Sequence, residues 1–581
     1  MDEIQKEDHA LPLLSISQLS LEFRQEDGSY RRVVNKASFD VYPGEVVGVV
    51  GESGSGKTLT CLSVMQLLPP SCKIESGSIL FRGHGNVMDL TKQDEKVLQK
   101  IRGNKISMIF QEPMSSLNPG QKCGHQVEEI IKIHHSDLTK AQIKKQVLDL
   151  FRKVKLPEVE RIYKSYVHQL SGGQLQRVMI AMAVANKPAL IIADEPTTAL
   201  DVTVQESILD LLLELKKEDD CSIIFISHDL GVIKKIANRI VVMQKGNIVE
   251  EGPSEVVFNN PEHLYTKALI ACRPSLDVRL KRLPTVRDFI DAGENAAFDF
   301  RSKYKISDHD YASRMDVLDH REAILTVENL TKWYPKKKSF FGTVLEKTMA
   351  VNDVSFVIRK GETLGLVGES GCGKSTLGKT ILRLIPPSSG KVVYNGIDVF
   401  SLGDEKMRKM RRHMQIIFQD PYSSLNPRMR IGEAIKEPMV VHKLHSSDEE
   451  RKEKVMELLE IVGMAREHYY RYPHQFSGGQ RQRINIARTL SLQPDFIVCD
   501  ESVSALDVSV QAQVLNLLMD LKERFGLSYL FISHDISVIK HISDRIMVME
   551  KGVIVESGDA ESVFHHPQHP YTKKLIAAVP K

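Results

Sequence analysis

The sequence predicts an α/β protein of two tandem domains, each a largely parallel sheet covered by helices on both faces. Three observations predict it. One set of short motifs occurs twice in the same order. Short apolar runs alternate with segments whose apolar residues keep helical spacing. The 581 residues are 42% hydrophobic and 26% charged, the balance of an ordinary globular chain, which excludes a mostly disordered protein and a disulfide scaffold.

The motif Gly51-Glu52-Ser53-Gly54-Ser55-Gly56-Lys57-Thr58 recurs as Gly368-Glu369-Ser370-Gly371-Cys372-Gly373-Lys374-Ser375, 317 residues later. Phe110-Gln111 recurs as Phe418-Gln419, 308 later. Ser171-Gly172-Gly173-Gln174 recurs as Ser477-Gly478-Gly479-Gln480, Asp194-Glu195 as Asp500-Glu501, and Ser227-His228-Asp229 as Ser533-His534-Asp535, all 306 later. A shared order and a near-constant offset mean a duplicated domain. The offset shrinks between the glycine motif and Phe-Gln, so an extra stretch is expected in the first half, around Gly83–Leu98. The expected organisation is a disordered N-terminus over 1–11, a first domain over 12–273, a charged linker over 274–322 wrapping one half, and a second domain over 323–581.

The elements of the first half follow in order. Glu45–Val50 reads as a buried strand running into the glycine loop, and Thr58–Leu68 as the helix after it. Between Gln111 and Ser171 the apolar positions Ile143, Val147, Leu150, Phe151 and Val154 form one face of a helical insertion. Ala189–Ala193 and Ser222–Ile226 are strands of the buried parallel type. After Asp201, Val204, Ile208, Leu211, Leu212 and Leu215 keep helical spacing.

Lys and Arg total 78 and Asp and Glu 75, so a net charge of +3 provides no field that favours nucleic acid. Seven cysteines without a C-x-x-C pair indicate neither a zinc ribbon nor an iron–sulfur cluster, and read as reduced, buried thiols. No apolar run approaches the ~20 residues of a membrane span, and the acidic N-terminus does not read as a signal peptide. The chain is read as intracellular, with any membrane-spanning part supplied by partners.

The glycine loops carry the firmest chemistry. Consecutive backbone N–H groups at the start of a helix surround a phosphate chain, and glycine lets the backbone approach the oxygens. Lys57 and Lys374 reach the β- and γ-phosphates, and Thr58 and Ser375 offer hydroxyls to Mg²⁺. Chance supplies this pattern on the order of 0.02 times in such a chain, so two copies are not accidental. Asp194 and Asp500 end apolar strands, where a carboxylate can hold the metal. Glu195 and Glu501 follow, suited to accept a proton from an attacking water. Ser171 and Ser477 cap helix starts at which glycine N–H groups can meet a γ-phosphate. A plain capped helix explains either copy alone but leaves the recurrence of Gln174 and Gln480 unexplained.

Together these motifs resemble the ATP-binding-cassette ATPases, over nearly the whole chain outside the linker and first residues. The resemblance implies two P-loop NTPase domains, each with a helical subdomain and a small antiparallel β subdomain. It implies ATP and Mg²⁺, with each nucleotide held between one half's glycine loop and the other half's Ser-Gly-Gly-Gln. Lys57 then pairs with Ser477, and Lys374 with Ser171. The implied ATP-binding set is both glycine loops, with Thr376, plus Gln111, Gln419 and both Ser-Gly-Gly-Gln motifs. Thr58, Gln111 and Asp194 are the implied Mg²⁺ set of one half, and Ser375, Gln419 and Asp500 that of the other. Glu195, Glu501, His228 and His534 are the implied catalytic residues, and Asp201 and Asp507 lie at the seam. Tyr334 matches the adenine-stacking position of the second half. Phe23 or Tyr30 serves in the first.

A narrower resemblance lies in Phe110–Pro119 and Phe418–Pro427, and in Pro261-Glu-His-Leu-Tyr265-Thr-Lys and Pro567-Gln-His-Pro-Tyr571-Thr-Lys. These are similar to the ATPase subunits of bacterial oligopeptide, dipeptide, glutathione and nickel importers, here fused. Ser502 stands where the family usually has proline and Thr58 where it has serine, and neither change removes a ligand. The implied partners are two transmembrane permease subunits and an extracytoplasmic solute-binding protein, with no nucleic acid. The implied place is the cytoplasmic face of the bacterial inner membrane. The alternative is a soluble double cassette acting on ribosomes or DNA, but 274–322 lacks a long charged helical pair and the chain lacks zinc modules. Lys336–Lys338 with Phe340-Phe341 reads as a solvated loop rather than a lipid contact, and His565, His566 and His569 as loop histidines rather than metal ligands.

Overall fold

A computed structural model describes residues 11–25, 27–83, 86–197, 202–274, 278–293, 300, 302–338, 344–504 and 506–579. The expected disorder over 1–11 lies, apart from Leu11, outside the described residues. The chain forms two compact units with their main boundary between Ile270 and Ala271.

The first unit contains β1 (Leu14–Arg24), β2 (Tyr30–Val41), β3 (Val46–Val50), β4 (Cys72–Gly83), β5 (Asn86–Asp89), β6 (Ile106–Ile109), β7 (Leu190–Asp194), β8 (Ser222–Ile226), β9 (Arg239–Gln244) and β10 (Asn247–Pro253). An antiparallel sheet runs β2-β1-β4-β5, and a six-stranded sheet runs β10-β9-β3-β8-β7-β6. In the larger sheet only the β9–β10 pair is antiparallel. Every residue of β3, β6, β7 and β8 is buried, as strands covered on both faces must be. Side chains from both sheets and from the helix Lys57–Val64 share one core, including Leu14, Ile16, Leu19, Cys61, Val64 and Ile192.

The second unit repeats this plan with β11 (Ala323–Lys338), β12 (Val344–Arg359), β13 (Thr363–Val367), β14 (Ser389–Tyr394), β15 (Ile397–Asp398), β16 (Met414–Ile417), β17 (Phe496–Asp500), β18 (Ser528–Ser533), β19 (Arg545–Glu550) and β20 (Val553–Asp559). Its sheets run β12-β11-β14-β15 and β16-β17-β18-β13-β19-β20. In each unit the carboxyl ends of the central parallel strands lead into the motif-bearing loops, the usual ligand position of an open α/β sheet.

The helical insertion contains Cys123–His134 and Lys140–Lys153. The latter starts at a Thr139–Gln142 capping box and buries Ile143, Val147, Leu148 and Phe151. Leu148 is buried on this face, where Leu150 was expected, and Leu150 is half-buried. The helix after the first glycine loop ends at Val64 rather than Leu68. Gln66 turns the chain at a φ of 50°, and Arg102 caps the end by donating to the carbonyls of Met65 (2.7 Å) and Gln66 (2.9 Å). All seven cysteines are buried and free. Among the described residues no helix is long and apolar enough to cross a membrane.

The extra length of the first half is not confined to the expected place. Strand register matches Ser76 to Ser389 and Phe81 to Tyr394, an offset already reduced to 313 before β4 ends. The β4–β5 hairpin reduces it again, since Asp89 matches Asp398. Part of the insertion therefore precedes β4's pairing with β1, where the spacing of motifs left no mark.

The stretch expected as a linker belongs to the second unit. It carries the helices Val286–Ala292 and Asp308–Asp319 and buries Leu280, Leu283, Phe289 and Leu318. Asn516 grips Leu283 twice, accepting from its N–H and donating to its carbonyl, both at 2.8 Å. Arg314 donates to Asp544 (2.6 Å) and the Tyr311 hydroxyl to Asp559 (2.7 Å). The sequence shows little apolar periodicity here, since Val286–Ala292 has only 7 residues and Asp308–Asp319 carries few apolar ones. Lys336 pairs with Glu346 at 2.5 Å, whereas Phe340 and Phe341 lie outside the described residues.

Candidate nucleotide site

The glycine loop of the first unit leaves β3 and enters the helix Lys57–Val64. Gly51 has a φ of 149°, and a Cβ there would lie 2.1 Å from the Met243 carbonyl oxygen on β9. No other residue fits. Lys57 is buried, and its ammonium donates to the carbonyls of Gly51 (2.7 Å) and Glu52 (2.9 Å). Lys374 makes the same bonds to Gly368 (2.7 Å) and Glu369 (2.9 Å). Each ammonium thus sits inside its own loop, within reach of whatever anion the loop receives.

Asp194 ends β7 and is buried, and Thr58 donates its hydroxyl to it at 3.2 Å. Ser375 donates likewise to Asp500 at 2.7 Å. Burial, with the neighbouring Glu195 charge, pushes the Asp194 carboxyl up to about 6 against the pull of Thr58 and Lys57. Asp500 is raised by burial against Ser375 and Lys379. Two buried carboxylates, each beside a hydroxyl, make a hard-oxygen donor set that suits Mg²⁺.

Glu195 does not merely alternate with Asp194 along a strand. Its φ is 47°, and that of Glu501 is 48°. The left-handed turn swings each carboxylate out of the strand direction while its N–H still bonds to the neighbouring strand, at Ile226 and Ile532 (3.0 Å each). Gln111 donates to Glu195 at 2.9 Å, and His228 Nδ1 lies 3.1 Å from the same carboxylate oxygen. Gln419 donates to Glu501 at 2.8 Å, with His534 Nδ1 at 3.5 Å. Burial would raise Glu501, but His534 and Lys374 hold it below its ordinary value. The glutamines read as metal residues thus make their described bonds to the glutamates.

Ser171 caps the helix Gly172–Val184, accepting from the Gln174 N–H (3.4 Å) while the Gln174 side chain accepts from the Ser171 N–H (3.1 Å). Ser477 and Gln480 repeat both distances. This capping box explains why glutamine recurs, which a cap alone had seemed unable to do. The second glycine has a packing reason too. A Cβ on Gly173 would lie 2.9 Å from Val204, and one on Gly479 2.2 Å from Val510.

Tyr334 is exposed on β11 with Lys332 over its ring. The positive-φ residues Gln18 and Asn329 align β1 with β11 and make Phe23, not Tyr30, its positional counterpart. Phe23 packs against the core, and Tyr30 lies under Lys73. Asp507 precedes the helix Val508–Phe525, and Asp201 lies outside the described residues. His565 sits beside Glu561 and Lys540, and His569 caps the helix Pro570–Ala577. Two residues of the Tyr-Thr-Lys repeats meet the loops, although the sequence did not assign them to the site. The hydroxyls of Tyr265 and Tyr571 accept from the Glu52 and Glu369 N–H groups (3.0 and 2.9 Å). Their signal was the tyrosine of Tyr-Thr-Lys recurring in register.

Comparison with known proteins shows the family. The ABC transporter family model matches residues 34–198 and 351–504. The model of the oligopeptide/dipeptide transporter C-terminal region matches 249–294 and 555–581. The glutathione import ATP-binding protein GsiA of Salmonella paratyphi A is 45% identical over 100% of this chain and 90% of its own length. The peptidoglycan transport ATP-binding protein YejF of Agrobacterium fabrum is 45% identical over 99% and 97%. The dimeric structure of MJ0796, a bacterial ABC transporter cassette, aligns at 30% identity and a TM-score of 0.37, covering 41% of this chain and 98% of its own. The chain belongs to the ABC transporter family, as an ATP-hydrolysing protein with two cassettes, each followed by the oligopeptide/dipeptide-type C-terminal region.

Proposed function

We propose that this chain powers uptake of a peptide or related small solute through two membrane-spanning permease subunits served by an extracytoplasmic solute-binding protein. The observation that carries the reading is the complete Lys, Thr/Ser, Asp, Glu, Gln and His set in both halves, each followed by the C-terminal region of oligopeptide and dipeptide transporters. Relatives named for glutathione import and peptidoglycan transport support a solute of peptide character. The working place is the cytoplasmic face of the bacterial inner membrane.

In this reading residues 12–273 and 323–581 are the cassettes, and they pair within the chain. Lys57 and Lys374, held at their loop carbonyls, reach the β- and γ-phosphates of ATP. Thr58 with Asp194, and Ser375 with Asp500, hold Mg²⁺, which when bound neutralises phosphate charge. Glu195 and Glu501 accept the proton of the attacking water, and Gln111 and Gln419 aim them. His228 and His534 stand beside these carboxylates to meet the γ-phosphate. Ser171 and Ser477 offer helix-start N–H groups to the nucleotide of the opposite half.

A cleft of about 410 Å³ in the second unit supports the permease part of the reading. It is lined by Phe418, Pro438, Val441 and Arg488, directly before Gln419. Phe418 and Val441 are exposed apolar side chains among polar neighbours that include Gln415, Glu437 and His442, a mixed surface that suits a partner helix. The test is affinity purification of the full chain from membranes. Recovery of two membrane-spanning subunits, lost when Phe418 and Val441 are both changed to Asp, is expected. Recovery of ribosomes without membrane subunits would overturn the reading.

A further inference from the structure

We propose that Tyr265 and Tyr571 are positioning residues of the two nucleotide sites, each fixing the first peptide of its glycine loop through the N–H while the loop lysine holds the carbonyl. The inference rests on the ATP-binding reading of those loops.

The peptide joining Gly51 to Glu52 is held at both ends. Its carbonyl accepts from Lys57 at 2.7 Å, and its N–H donates to the Tyr265 hydroxyl at 3.0 Å. The peptide joining Gly368 to Glu369 is held in the same way by Lys374 (2.7 Å) and Tyr571 (2.9 Å). The ammonium has three N–H donors, so it can meet a phosphate and keep this carbonyl. The tyrosine bond lies on the other end of the peptide and does not depend on it. A peptide held at its carbonyl alone can still tilt, and the amides that follow it would no longer converge on the phosphate.

The tyrosines are themselves fixed. Both are buried. The Tyr265 N–H donates to His263 Nδ1 at 3.2 Å, and the Tyr571 N–H to His569 Nδ1 at 3.3 Å. The carboxylate of Glu250 on β10 accepts from the Glu262 (2.8 Å) and His263 (3.1 Å) N–H groups. Glu556 on β20 does the same for Gln568 (2.7 Å) and His569 (3.0 Å). Hydrogen bonds therefore run from the edge strand through the histidine cap and the tyrosine to the glycine loop, twice in one chain. A residue kept for bulk alone would not need its hydroxyl on the same loop N–H in both copies. Burial pushes the Tyr571 phenol above its usual range, so the group at the loop stays a neutral hydroxyl. All of these residues fall within the stretches matched by the oligopeptide/dipeptide C-terminal region. That region thereby acquires a role at the nucleotide.

The test uses Tyr265→Phe and Tyr571→Phe in the full chain, which remove one oxygen and keep the ring. Hydrogen–deuterium exchange without nucleotide reads the loops directly. Tyr265→Phe is expected to speed exchange over residues 51–58 about tenfold and leave 368–375 unchanged, with the mirror result for Tyr571→Phe. In a Lys374→Ala background, where only the first site binds ATP, Tyr265→Phe is expected to raise KM for ATP about three- to tenfold while kcat falls less than about twofold. Unchanged exchange in both loops, or both loops loosening together as Tm falls, would overturn the proposal. A parent chain that binds no ATP would instead sink the nucleotide reading, and the exchange result would still judge the brace.

Discussion

Gln111 donates its side-chain amide to Glu195 across 2.9 Å, and Gln419 repeats the bond to Glu501 at 2.8 Å. Each glutamate is turned out of its strand by a left-handed φ, and a histidine nitrogen faces the same oxygen. Both halves thus hold a carboxylate in the same setting.

The first prediction follows from that equality. Glu195→Gln and Glu501→Gln each remove the proton acceptor and keep its shape. Each single variant should lose more than roughly half of ATP turnover, and the double variant about 10²-fold or more. ATP binding should survive in all three. Steady-state phosphate release and equilibrium ATP binding on the purified chain measure both. Full turnover in either single variant would mean that its site does not work.

The aiming glutamines can be separated from the acceptors. Gln111→Ala leaves the Glu195 carboxylate without the amide that fixes it, and a bond to a charged group is lost. With about tenfold lost at the altered site, the expected effect is a fall of roughly half in kcat, and of about tenfold when Gln419→Ala is added. KM for ATP should move less than kcat. A rise in KM with kcat intact would show that the glutamines hold substrate rather than aim the base.

Ser171 presents two roles that one substitution pair can divide. Aspartate caps a helix as well as serine, and alanine does not. Ser171→Ala should therefore cost about 1 kcal/mol of local stability, whereas Ser171→Asp should cost almost none. If the cap also faces a γ-phosphate, Ser171→Asp sets one negative charge against another and should lower ATPase activity at least about tenfold in a stable protein. Gln174→Glu keeps the capping box and should be nearly silent in a melt. A stable, fully active Ser171→Asp variant would leave the serine with capping alone.

The glycine loops, the aspartates and the signature helices were legible because each depends on residue types at a fixed local spacing. Lys57 and Thr58 must stand at the helix start for the loop to work, so the motif carries its own geometry. What was hidden depends on contacts distant in sequence or on backbone angles. Tyr265 meets Glu52 across 213 residues, and nothing near either residue announces the other. The φ of Glu195 has no signature in its side chain, and its setting appears only through contacts distant in sequence, among them Ile226, Gln111 and His228. Residues 274–322 read as linker because Asp308–Asp319 has few apolar residues. It is held by Tyr311 and Arg314, which pattern counting scores as surface. The recurrence of Gln174 and Gln480 has a local reason too, which only the bonds reveal, since each completes a capping box.

The last prediction concerns how that stretch is held. Asp544 is fully buried, accepts from the Thr363 N–H and Lys522 (2.8 Å each), and takes the Arg314 guanidinium at 2.6 Å. Its counterpart 306 residues earlier is Asn238, which accepts from the Val46 N–H at 2.9 Å and is exposed. The charge therefore belongs to the half that receives the 274–322 stretch. Burial alone would raise the Asp544 carboxyl, but Lys522 and Arg314 hold it well below the carboxylate range. A depressed carboxyl contributes stability that is present above the unfolded value of about 3.9 and lost as pH falls below it. Asp544→Asn keeps the bond to Thr363 but leaves Lys522 buried without its anion, which should cost about 3 kcal/mol at neutral pH. The gap between variant and parent should close below about pH 4. Adding Lys522→Met removes the stranded charge and should recover most of the loss. The single tryptophan, Trp333, lies in the second unit, so its fluorescence during urea unfolding reports that unit and not the first. Equal unfolding midpoints for Asp544→Asn and the parent at pH 7 would show that the buried cluster does not hold the stretch in place.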